Sequence, residues 1–184
     1  MKVAFGLKAH SGWAALVVVG QRGDDLVIVD RRRLELVEEV WARQPYHAAE
    51  HLSPAAARHL VTRGIEAAHR IAARELKAAV ERERARDNTV SACAVLMGEA
   101  MPAWTIDEVL AVHFRMHKAE GVLFRDALAR AAEACGLRLV AIPEKQLVSH
   151  GGAMKTVAAM GKAVGPPWGK DQKDAAAAAL VASR

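Results

Sequence analysis

At 184 residues, with 52% apolar and 26% charged side chains, the chain has the composition of one globular domain able to bury a core, which excludes a disordered tail. No apolar run approaches the ~20 residues that cross a bilayer, and the opening MKVAFGLK lacks the long apolar segment and small-residue cleavage site of a secretory signal, so a cytoplasmic protein with no membrane partner is expected. The balance of 26 Lys+Arg against 21 Asp+Glu, a net +5, favours polyanionic partners without requiring one.

In chain order, VAFGL opens a strand that meets a small-residue kink at Lys8-Ala9-His10-Ser11-Gly12 and resumes in WAALVVV. Turn chemistry over Gly20–Asp25 leads into a further strand, Leu26–Leu36, so three strands with hairpin logic come first. Ser53-Pro54 reads as an N-cap followed by proline at the first helical position, starting a long helix that runs to about Arg86. Thr89–Met97 is a short apolar run fit for a buried strand, with Gly98-Glu99 at its carboxyl end. Helical pattern follows over Thr105–His117 and again over Gly121–Cys135, closed by Gly136. Leu137–Pro143 is the next strand. A helix over Ala153–Val164 and a last one over Gln172–Ala182 flank the loop Gly165-Pro166-Pro167-Trp168-Gly169. The 39 alanines against eight aromatics point to close-packed helices. Cys93 and Cys135 sit in alanine-rich segments where buried, reduced thiols are expected. Strands followed by β-α-β-α units call for an α/β mixed sheet with helices on its faces, and ligands of such sheets gather at the strands' carboxyl ends.

Several motifs carry chemistry at first sight. His47-Ala48-Ala49-Glu50-His51 fits an H-x-x-E-H zinc-protease pattern, but Pro45 and Ser53-Pro54 confine its helix to under two turns, which argues against it. His113 and His117 share the same spacing and read as surface histidines of an amphipathic helix. Arg31-Arg32-Arg33 with Arg82, Arg84 and Arg86 suggests a phosphate-tracking patch, although Glu81, Glu83 and Asp87 favour ordinary surface ion pairing.

Four pieces together, Gly6-Leu7-Lys8 with Gly12, Gly98-Glu99, Ile142-Pro143 with Gly151-Gly152 and Ala153-Met154-Lys155, and Asp171-Gln172-Lys173-Asp174-Ala175-Ala176, resemble the ribonuclease-H-like superfamily, specifically the RuvC-type Holliday-junction resolvases. The resemblance implies a single ribonuclease-H-like domain over 1–184, three-layered, with a mixed five-stranded sheet flanked by helices. It also implies a structure-specific endonuclease that binds DNA or another branched nucleic acid as a homodimer, with carboxylates holding Mg²⁺ or Mn²⁺. Glu99, Asp171 and Asp174 match three of the four acids as catalytic and metal-binding residues. Lys8 and His10 fall where the family's site would meet nucleic acid, Lys155 near its helix start is a candidate phosphate contact, and Trp168 in its loop is a candidate stacking platform for an unpaired base. Each has an ordinary alternative: an acid at a helix start, a loop acid, a solvated lysine, a polar turn residue, a tryptophan tucked on the core.

The departure is Lys8, which stands where the family has its first-strand aspartate. A like charge 4 Å from a cation at an effective dielectric of 20 costs about 4 kcal/mol per unit charge, twice that for a divalent ion. Lys8 is therefore expected to pair with Glu99 or Asp174 in place of a metal, leaving an impaired nuclease. The alternative is an inactive scaffold or a small-ligand or partner-binding protein that keeps the fold.

Overall fold

The computed structural model describes residues 1–184, the side chain of Lys162 excepted. Strands β1 (Lys2–His10), β2 (Trp13–Arg22) and β3 (Asp25–Glu35) form an antiparallel meander. The first turn closes in two residues between the paired His10 and Trp13 because Gly12 takes φ +86°, a value that L side chains resist. Lys8 and His10 thus lie on β1 itself rather than in a kink, and β2 runs on past Gly20 before turning. Strands β4 (Thr89–Met97) and β5 (Arg138–Pro143) add in parallel on the other side of β1, giving the order β3-β2-β1-β4-β5. This α/β arrangement, a mixed five-stranded sheet flanked by helices, is the one that the sequence predicts.

Helices cover both faces. On one side pack α2 (Pro54–Arg84) and α4 (His113–Ala134). Residues Val61, Ala68, Ala72, Leu76 and Ala79 give α2 its buried stripe, and Ser53 with Pro54 starts it as predicted, although the Ser53 hydroxyl makes no capping hydrogen bond. On the other side pack α5 (Gly151–Val164) and α6 (Lys170–Ala182). Alternation along β1 sends Val3, Phe5, Leu7 and Ala9 toward α2 and α4. Gly6 and Lys8 face α6 instead.

Three boundaries differ from the sequence reading. A break at Ala111-Val112 separates α3 (Ile106–Leu110) from α4, which then continues straight through Gly121. Gly121 costs about 1 kcal/mol in a helix, and burial of Met116, Glu120, Leu123, Phe124 and Ala127 around it outweighs that cost. The last helix begins with Gly169 as N-cap, so Asp171 lies in its first turn and is not its cap. A short helix α1 (Pro45–Ala49) precedes α2. Cys93 is fully buried and both thiols are free, but Cys135 is only half-buried because it lies at the C-cap of α4. No described helix is long and apolar enough to cross a membrane.

Candidate functional site

At Gly6 the chain leaves no room for a side chain. A Cβ there would overlap the carbonyl of Ala175 and crowd the amide of Ala179, so glycine lets α6 lie directly on β1. The run Ala175–Ala179 is wholly buried by the same close approach. It delivers the first turn of α6 to the carboxyl end of β1, where Lys8 waits two residues beyond Gly6.

Lys8 is 6% exposed, a position an ammonium tolerates only when its charge is answered. Its Nζ donates to Asp174 Oδ2 at 2.6 Å and lies 3.1 Å from Glu144 Oε1 and 3.4 Å from Asp171 Oδ1. Burial works against the charged ammonium, but the bonds and attraction of Asp174 and Glu144 outweigh it and hold the Lys8 pKa well above the ordinary lysine value. Asp174 mirrors this: burial would raise its pKa, yet bonds from Lys170 and Lys8 leave it below the usual aspartate value. Lys170, one turn before Asp174, donates to the same Oδ2 at 2.6 Å. Arg125 of α4 donates to the second oxygen of Glu144 at 3.1 Å. Three cations, Lys8, Lys170 and Arg125, therefore balance three carboxylates, Asp171, Asp174 and Glu144.

Around this network, His10 Nε2 approaches Asp171 Oδ1 at 3.1 Å without hydrogen-bond geometry, and its ring stacks on Trp13 at 4.3 Å. The Arg33 guanidinium covers the same Trp13 ring at 4.1 Å. Beside Glu144 lies a cavity of about 460 Å³ lined by Met97, Gly98, Glu99, Arg125, Pro143 and Lys145. It opens at the carboxyl ends of β4 and β5, where sheets of this kind collect ligands.

The two aspartates of α6 are thus brought together with Lys8. Glu99 is not joined to them: it is exposed and paired with Lys145, whose bond holds its carboxyl below the usual range. Of the two pairings expected for Lys8, the structure has the one with Asp174. Glu144, to which no sequence motif points, takes the third place; its one signal is its position directly after Pro143 at the end of β5. Lys155 is an exposed lysine of α5. Trp168 is half-buried, packed over Gly161, where a Cβ would strike its ring, and against the α5–α6 core. Its Nε1 is buried without a partner among the described residues.

Four of the arginines singled out in the sequence are also committed. Arg31 reaches the carbonyls of Val164, Gly165, Pro166 and Pro167 and so holds the loop before α6. Arg32 pairs with Asp30, Arg33 with Glu35, and Arg86 with Glu83 and Asp30. These four are held by pairing rather than forming a free phosphate-tracking stripe, whereas the Nε of Arg82 is buried without a hydrogen-bond partner among the described residues.

Mg²⁺ needs near-octahedral oxygen ligands at about 2.0–2.1 Å. In this cluster an ammonium with a raised pKa already lies within 3.4 Å of all three carboxylates, one of which is tied to a second lysine. The residues present do not fit a divalent cation at this point.

No family model and no curated protein matches the chain. Among solved structures, it is similar to T. thermophilus RuvC in complex with Holliday junction substrate, at 18% identity over 97% of this chain and 90% of that one, with a TM-score of 0.48. A second Thermus thermophilus RuvC structure matches at 16% identity over 97% of this chain and 91% of that one, with a TM-score of 0.47.

Proposed function

We propose that this protein is a RuvC-like nucleic-acid-binding protein that contacts branched or structured nucleic acid without hydrolysing it. The observation that carries the reading is the ammonium of Lys8 held by Asp174, Glu144 and Asp171. A bare cluster of carboxylates repels phosphate, and metal ions normally cancel that repulsion while activating water. Here fixed side-chain cations cancel it, so a phosphate can approach, but with Lys8 at their centre the three carboxylates are not free to hold a metal ion that would polarise a water at this cluster. The motif resemblance supports the substrate class, and Lys145 and Lys170, exposed though paired with Glu99 and Asp174, offer further positive charge at this end of the sheet. His10, Lys155 and the rim of the cavity beside Glu144 extend the same proposed surface.

The test is retention of a four-way junction, a linear duplex and a single strand, with and without chelator, followed by incubation of each with Mn²⁺. The expected outcome is junction binding that is unaffected by chelator, weakens with salt as phosphate contacts do, and leaves every strand intact. Mn²⁺-dependent cleavage lost in Asp174→Asn would overturn the reading by showing an active nuclease. Failure to retain any of the three nucleic acids would overturn it in favour of a scaffold that keeps the fold.

A further inference from the structure

Away from the Lys8 cluster, the fold brings together histidines that lie far apart in sequence. His47 on α1 meets His113 and His117, one turn apart on α4, and a ligand atom of each lies within 4.8 Å of the others. The Nε2 atoms of His113 and His117 are 3.1 Å apart. Zn–N bonds of about 2.0–2.1 Å in a tetrahedral site put neighbouring ligand nitrogens about 3.3 Å apart, so this pair already has the spacing of two ligands on one ion.

The orientation of the rings strengthens the case. Nδ1 of His47 lies 2.6 Å from Glu120 Oε2, which leaves Nε2 as the free lone pair. That Nε2 is buried with no hydrogen-bond partner among the described residues. Glu120, itself 5% exposed, is fixed in turn by the amides of Tyr46 and His47, each donating to Oε1 at 3.1 Å. On the second ring, Glu50 Oε1 lies 3.5 Å from His113 Nδ1. A carboxylate on the far nitrogen of a ligating histidine sets its tautomer and raises its basicity, and two of the three histidines have one.

We infer that His47, His113 and His117 form a binding site for Zn²⁺ or a similar borderline divalent ion, with Glu120 and Glu50 positioning the rings. Imidazole suits such metals and not Mg²⁺, so the site is chemically distinct from the carboxylate cluster around Lys8. Three protein ligands leave a fourth position to water. The exposure of His113 and His117 opens that position to solvent. The ion clamps α1 onto the start of α4. The H-x-x-E-H reading does not describe this site, since α1 ends at Ala49 and His51 is exposed outside it.

The test uses the full chain freed of metal, titrated with Zn²⁺ against a chromophoric chelator and separately with Co²⁺ by visible absorption. One ion per chain is expected, with the intense absorption of four-coordinate Co²⁺ and a rise in melting temperature on Zn²⁺ addition. The double variant His113→Ala/His117→Ala, which alters only exposed side chains, should bind at least 100-fold more weakly. Glu120→Gln should lose 10–100-fold, while His51→Ala binds as the wild type does. A double variant that melts like the metal-free wild type and still binds within tenfold of wild-type affinity overturns the site. So does a weak, six-coordinate Co²⁺ spectrum.

Discussion

Replacing Lys8 by methionine keeps the length of the side chain and removes its charge, leaving Asp174, Asp171 and Glu144 without the cation at their centre. The Lys8 and Asp174 side chains are 8% and 7% exposed, so this is a buried pair in which loss of one partner costs about 3–5 kcal/mol. Lys170 remains on Asp174, which moves the expectation to the lower end. Asp171 and Glu144 are about a third exposed and can turn to water, so their released pairings add less than about 1 kcal/mol each. A loss of about 3 kcal/mol follows. For a chain of this length, at about 2–4 °C per kcal/mol, the melting temperature should fall by about 6–12 °C. Urea denaturation at neutral pH measures the loss directly. Adding Asp174→Asn to Lys8→Met should restore a good part of it, because a neutral amide needs no counter-ion. Lys8→Met equal to or more stable than the wild type would refute the reasoning, since the ammonium would then not be compensating buried carboxylates.

Other consequences are equally direct. Gly6→Ala should abolish soluble folded protein or cost more than about 3 kcal/mol, read by expression and circular dichroism, because its Cβ would overlap the Ala175 carbonyl in α6. Asp174, with its lowered pKa, contributes stability above its unfolded value of 3.8 that is lost as pH falls through the folded value. Lys8, with its raised pKa, contributes fully below 10.5 and loses its contribution as pH climbs from there toward the folded value. Denaturation across pH should therefore show a plateau between these limits, and the Lys8→Met variant should lose the alkaline limb. Glu99→Gln should leave the melting temperature unchanged, since its ion-pair partner among the described residues is the exposed Lys145.

Much of this architecture was legible because its signals are local. The strand Thr89–Met97 is a continuous apolar run, Ser53-Pro54 marks a helix start, and Asp171 with Asp174 sits at a helix beginning whatever the tertiary context. Gly121 misled because glycine in a helix is read against propensity, whereas buried neighbours on both sides decided the matter. The site was half legible. Lys8 and Asp174 are 166 residues apart, and only the motif resemblance linked them. Glu144 had no motif at all, just a place after a strand end. The histidine cluster was invisible for the same reason: His47 and the His113-His117 pair each look ordinary until α1 and α4 pack together through Glu120.

The central claim is that the Lys8 ammonium occupies the charge position a metal would otherwise fill, and calorimetric titration with Mg²⁺ tests it most directly. Mg²⁺ is the ion of choice because it prefers oxygen ligands and avoids the imidazoles of the histidine cluster. The wild type should show no saturable Mg²⁺ binding, while Lys8→Asp, which gathers four carboxylates and no central cation, should gain it and should melt higher with Mg²⁺ than without. Saturable Mg²⁺ binding by the wild type that disappears in Asp174→Asn would contradict the claim.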